Sequence, residues 1–159
     1  MGIQPCTLPL AALTHEIRGG FFAVLQELGT GFSEVVYQRA LQIVLEEKGL
    51  MAEAELALDV PFRGRRIGMF EPDLIVERLV IVEVKATKTL DDWAKAQLLN
   101  YLKCAGGGVG LLANFGSTPE IRRFVMGNPH NSLPRLSKTP VKNLQRWLAT
   151  TRAATELEI

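Results

Sequence analysis

Two stretches of nearly unbroken apolar residues, Val80 to Val84 and Val109 to Phe115, lie a single helix-length apart. A strand with one wet face alternates apolar and polar residues, whereas a strand covered on both faces reads as a continuous apolar run. Between the two runs, Asp91 or Asp92 opens a helix that continues to about Ala105, and Gly106-Gly107-Gly108 ends it. Strand, helix, strand in that order makes the two strands parallel neighbours with a right-handed crossover. The expected fold is therefore α/β, a sandwich with a mixed central sheet flanked by helices. It is not a dinucleotide-binding fold, because no Gly-rich loop follows a strand and opens a helix.

The flanking pattern fills in the layers. Thr14 can cap a helix whose Ile17, Phe21, Val24, Leu25 and Leu28 recur at helical spacing, with Gly29-Thr30-Gly31 as its stop. Ser33 can cap a second helix with Val36, Ala40, Leu41, Val44 and Leu45 on its apolar face and Gly49 at its end. The period then changes from 3.6 to 2. Glu55 to Val60 alternates as a half-buried strand, Arg63-Gly64-Arg65 turns the chain, and a return strand lies around Ile67 to Phe70. Asp73 to Val76 and Val80 to Lys85 form a hairpin through Glu77-Arg78-Leu79, and Ile121 to Met126 can add an edge strand. Val141 to Ala154 is predicted as a C-terminal helix after a Pro-containing linker.

At 159 residues and 47% apolar content the chain is one ordinary domain rather than a disordered polymer. No apolar run approaches the ~20 residues of a membrane helix, and the first residues do not read as a signal peptide. Cys6 and Cys104 are too few and too far apart for a disulfide framework or a zinc site, so a cytoplasmic location is expected.

The chemistry lies in Pro72-Asp73 and Glu83-Val84-Lys85. In a strand Glu83 and Lys85 point to one side while Val82 and Val84 point to the other. With a three-residue connection, Val76 faces Val80, Ile75 faces Ile81 and Asp73 faces Glu83, their Cβ atoms about 4.5–5.5 Å apart. Two carboxylates at roughly 5 Å repel by about 3 kcal/mol at an effective dielectric near 20. A cation, or protonation of one acid, has to relieve that repulsion. Oxygen donors suit Mg²⁺ or Mn²⁺ rather than zinc, and a neighbouring lysine can orient water or stabilise charge on a phosphate. Glu34 and Tyr37 share a face of the second helix, and Gln97 and Tyr101 stand i, i+4 on the third.

In combination these segments resemble a known family. Leu13-Thr14, Ile17, Gly20 and the run Leu28 to Tyr37 look like the opening of the GxxExxY proteins. Asp73 to Val76, Ile81 to Ala86, Ala96 to Leu102 and Gly110 to Phe115 continue the likeness in order, over about residues 13–126. That family is grouped with the PD-(D/E)XK nuclease-like superfamily, so the resemblance implies a restriction-endonuclease-like sandwich. It implies Glu34, Asp73, Glu83 and Lys85 as catalytic residues. Asp73, Glu83, Glu34 and the Val84 backbone carbonyl would hold Mg²⁺ or Mn²⁺, with Gln97, Tyr101 and Tyr37 supporting the site or the phosphate. Where the family commonly carries histidines, this chain has Leu25 and Ala94.

Residues 127–159 fall outside the resemblance as a basic extension. Residues 1–120 hold 11 Lys/Arg against 15 Asp/Glu, a balance of −4, while residues 121–159 hold 7 against 2, a balance of +5. Arg122, Arg123, Arg135 and Lys138 are therefore candidates for nucleic-acid contacts. The expected activity is metal-dependent hydrolysis of phosphodiester bonds in DNA, or RNA. The alternatives are a nucleic-acid-binding module that kept the nuclease fold without its chemistry, and an interaction protein with a structural ion pair. No membrane partner is expected, and the sequence sets no oligomeric state.

Overall fold

The computed structural model describes residues 10–127. In chain order these form α1 (Ala11–Leu28), α2 (Glu34–Glu47), β1 (Ala52–Glu53), β2 (Leu58–Phe62), β3 (Arg65–Phe70), β4 (Leu74–Val76), β5 (Val80–Lys85), α3 (Asp92–Ala105), β6 (Gly108–Asn114) and β7 (Glu120–Met126). A five-stranded sheet runs β1-β4-β5-β6-β7, and β2 and β3 pair apart from it as a two-stranded arm. The β5–β6 pair is parallel, with α3 as its crossover, and the other pairs are antiparallel. A mixed sheet with helices on both faces is the restriction-endonuclease-like architecture.

Strand alternation divides the core into two. Leu74, Val76, Val80, Val82, Val84, Val109 and Leu111 pack with Leu13, Ile17 and Phe21 of α1 and Tyr37, Leu41 and Leu45 of α2. The opposite parity, Ile75, Ile81 and Leu112, packs with Ala94, Leu98 and Leu102 of α3, joined by Leu58 from the arm. The crossover helix lies close. A Cβ added at Gly110 would stand 2.8 Å from Leu98 Cδ1, so the absence of a side chain there lets α3 settle on β6. Asp91 caps α3 by accepting from the Ala94 amide at 2.9 Å, and Gly106 closes it in the left-handed conformation at φ 91°.

Three local expectations change. α1 begins at Ala11, not Thr14, because Leu10 already turns the chain at φ 53°; the Thr14 hydroxyl instead bonds back to the Leu10 and Ala11 carbonyls. The strand expected over Glu55 to Val60 begins only at Leu58 and runs to Phe62, and a further short strand, Ala52–Glu53, lies ahead of that span. Glu55 adopts φ 60°, which sends Ala52–Glu53 to pair with β4 and Leu58–Phe62 to pair with β3. The return strand is also longer, beginning at Arg65 directly after the Arg63-Gly64 turn. No helix among the described residues is long and apolar enough to cross a membrane. The predicted helix over Val141 to Ala154 lies outside the described residues.

Candidate active site

The site begins with the β4–β5 hairpin. Glu77 and Arg78 both take φ 53°, and the Leu79 amide bonds the Val76 carbonyl at 3.0 Å, a turn whose twist matches the strands it joins. The register is Val76 to Val80, Ile75 to Ile81 and Leu74 to Val82, which brings Asp73 opposite Glu83 just beyond the paired residues. The two acids interlock. The Asp73 amide donates to Glu83 Oε1 at 3.1 Å, and the Val84 amide donates to Asp73 Oδ2 at 2.7 Å. Each carboxyl thus spends one oxygen on the other strand's backbone, and the two side chains also hydrogen-bond each other. From α2, Gln38 Nε2 donates to the Asp73 carbonyl at 2.8 Å and fixes the chain at this point.

Burial makes the pair electrostatically tense. Glu83 is only 4% exposed. Desolvation, then the charge of Asp73, pushes the Glu83 carboxyl up to about 8, against the opposing pull of the Asp73 amide and the Lys85 charge. Asp73 is also raised, first by burial and to a smaller extent by the charge of Glu34; the Val84 amide and Lys85 act the other way. Both shifts favour a proton kept within the pair. A divalent cation would displace it.

Lys85 shares the parity of Glu83 and faces α3. Its Nζ donates to Gln97 Oε1 at 3.2 Å, and Gln97 Nε2 donates to the Tyr101 hydroxyl at 2.7 Å. One helical turn separates Gln97 from Tyr101, so a single face of α3 presents both groups to the site. The Tyr101 ring stacks on Phe70 of the arm at 4.0 Å between centroids and 7° between planes. Burial, then the nearby Glu83 charge, raises the Tyr101 hydroxyl, partly offset by Gln97.

The remaining candidates separate. Glu34 stands exposed in the first turn of α2, near enough to act on Asp73 through its charge but not gathered with the pair. Among the described residues no group of three or more His, Cys, Asp or Glu side chains converges as a metal cluster. The carboxyl oxygens of Asp73 and Glu83, and the Val84 carbonyl that points to the same strand edge as its amide, are nonetheless hard-cation donors.

Tyr37 is not at this site. Its hydroxyl donates to the Gly29 carbonyl at 2.6 Å and accepts from the Phe32 amide at 3.2 Å, while its ring stacks on Phe115 inside the α1–α2 core. Helical spacing from Glu34 placed it correctly on α2, but the loop between the helices occupies its polar end. Arg122 is bonded through both Nε and Nη2 to Glu120, and Arg123 is partly buried, its guanidinium pKa lowered by desolvation. Arg135 and Lys138 lie outside the described residues. Gln38, absent from the sequence expectations, follows Glu34 by four positions; that spacing was the only signal available for it.

The fold and the Asp73, Glu83 and Lys85 constellation define a protein of the restriction-endonuclease-like class. The model of the PD-(D/E)XK nuclease superfamily matches residues 11–124, and the chain belongs to that superfamily. Membership points to a nuclease and to divalent-metal use in general terms. No curated protein matches the sequence significantly. The chain is also similar to a solved structure described as "Crystal structure of SSO0001", at 14% identity over 91% of this chain and 83% of that one; its TM-score of 0.33 is too low to bear on function.

Proposed function

We propose that this chain is a nuclease of the GxxExxY branch that hydrolyses phosphodiester bonds of DNA with Mg²⁺ or Mn²⁺, working in the cytoplasm. The observation that supports it is the interlocked Asp73–Glu83 pair, largely buried, its carboxyls raised first by that burial, and flanked by Lys85. An acid pair that costs stability is readily explained when a cation occupies it. The carboxyl oxygens of Asp73 and Glu83, in place of their bond to each other, and the Val84 carbonyl would hold the ion, with Glu34 adding negative charge near Asp73. When bound, the ion supplies Lewis acidity and neutralises charge on the phosphate. Lys85, braced by Gln97, orients the attacking water and offers a proton donor to the phosphate. The Tyr101 hydroxyl accepts from Gln97 and keeps its own proton for an acceptor on the substrate side.

Hydrolysis of labelled single- and double-stranded DNA with saturating Mg²⁺ or Mn²⁺ tests the reading. Activity is expected to disappear in Asp73→Ala and in Lys85→Ala; turnover that survives both substitutions means another site is responsible. A second reading, a nucleic-acid-binding module without chemistry, is favoured by the exposed position of Glu34, which leaves only two acids at the centre. It expects binding that weakens with salt and no metal-dependent turnover.

A further inference from the structure

The β2–β3 arm is an unusual surface for a chain of this composition. Residues 1–120 carry net negative charge, yet Arg63, Arg65 and Arg66 fall within four positions at the arm's tip. All three are exposed. Arg66 has a 3.7 Å ion pair with Asp59, in which both side chains are about 60% exposed, so water and salt weaken it. The Arg63 guanidinium lies 5.3 Å from the centroid of the Phe62 ring. Phe62, Ile67 and Met69 are each more than half exposed on the same arm. Cations interleaved with an aromatic ring and aliphatic side chains match both parts of a nucleic-acid strand, its phosphates and its bases.

The arm is also tied to the acid pair. Leu58 anchors its root in the α3 core, and Phe70 stacks on Tyr101, whose hydroxyl leads through Gln97 to Lys85. Three residues beyond Phe70 the chain reaches Asp73. A cavity of about 470 Å³ lies where the arm meets α3, lined by residues including Pro61, Phe70, Tyr101 and Lys103. By contrast, Arg122 of β7 is already bound to Glu120.

We infer that the β2–β3 arm is the nucleic-acid grip of this protein, with Arg63, Arg65 and Arg66 at its tip on the phosphodiester backbone and its root against the helix that faces the Asp73–Glu83 site. The inference rests on the nuclease reading for its substrate, but not for the charge argument. A second copy of the chain is the less suitable occupant, because arm-to-arm pairing would bring two arginine tips together.

Fluorescence anisotropy of the full chain with a labelled 20-base-pair duplex, in EDTA so that nothing is cut, isolates the grip. The triple variant Arg63→Ala/Arg65→Ala/Arg66→Ala is expected to bind at least about 10-fold more weakly, with a log Kd against log salt slope shallower by about 2.7 for three lost duplex contacts. The triple Arg→Lys variant, which keeps the charges, should hold the wild-type slope. Absence of saturable binding by the wild type, an unchanged Kd and slope in the alanine triple, or an equal loss in both triples overturns the inference. So does a dimer, seen by sedimentation, that Phe62→Ser/Met69→Ser dissociates without changing DNA affinity. Arm-dependent binding without hydrolysis in metal keeps the grip and rejects the nuclease; hydrolysis with arm-independent binding does the reverse.

Discussion

Glu83→Gln isolates the tension in the acid pair. The Glu83 carboxyl ordinarily titrates near 4.5 and is pushed up to about 8 in the fold, first by burial and then by Asp73. Below pH 4.5 both the folded and the unfolded chain hold this proton, and it has no effect on stability. Between 4.5 and 8 the unfolded chain releases the proton while the folded chain keeps it. Stability therefore falls through that window, at about 1.4 kcal/mol per pH unit, and levels off above 8. The full cost is of order 5 kcal/mol, a large share of the roughly 5–15 kcal/mol that holds a domain together. Asp73 and Glu77, both raised mainly by burial, add slopes of the same sign. Glutamine keeps the shape, still accepts from the Asp73 amide, and can donate to the Asp73 carboxylate. Urea unfolding at pH 5 and pH 8.5 should show wild type losing several kcal/mol across the interval and Glu83→Gln losing much less. Saturating Mg²⁺ should recover the loss in wild type at pH 8.5 and do little for the variant. A variant no more stable than wild type at pH 8.5, or a wild type equally stable at both pH values, would refute the reasoning.

Three other substitutions test the surroundings. Asn114→Ala removes a buried clip in which Oδ1 accepts from the Thr87 and Gly116 amides and Nδ2 donates to the Thr87 carbonyl. A loss of about 3 kcal/mol in urea unfolding is expected; a loss under 1 would mean the clip contributes little. Tyr37→Phe deletes the bonds that tie Gly29 and Phe32 together and should cost about 1–3 kcal/mol. Hydrolysis per folded molecule that fell tenfold in this variant would instead return Tyr37 to the site. Gln97→Leu leaves Lys85 without its brace, and kcat on DNA should drop about 10–100-fold as the amine loses its position. An unaltered kcat and pH profile would remove Gln97 from the positioning of Lys85.

What the sequence revealed most fully was what strand parity controls. The apolar runs at Val80 and Val109 determined a parallel pair with a covering helix, and the hairpin arithmetic placed Asp73 across from Glu83. Both follow from alternation, which a one-residue slip would invert. Features decided by a single backbone angle or a distant partner were hidden. Nothing in Glu55 to Val60 announces that Glu55 turns at φ 60° and detaches the arm from the main sheet. Tyr37 and Glu34 share a helix face in the sequence pattern, but only the folded loop shows the Tyr37 hydroxyl enclosed by Gly29 and Phe32. Gln38 reaches Asp73 across 35 positions of chain, a pairing that no local rule anticipates.

The same register that makes the acid pair legible also makes it costly. Ile75 and Ile81, the neighbours one step inward on the same face, are fully buried and show what this part of the sheet would hold for stability alone. In place of another such apolar pair the hairpin carries two carboxyls. It gives each a backbone amide, yet burial first and the charge of Asp73 second still push the Glu83 carboxyl well above its ordinary value. A purely structural ion pair would seat a cation against the acids, but the nearby amine, Lys85, is hydrogen-bonded to Gln97. The site is thus arranged to leave negative charge undercompensated and an amine held beside it, an arrangement that is disadvantageous for folding and suited to taking up a cation and a phosphate.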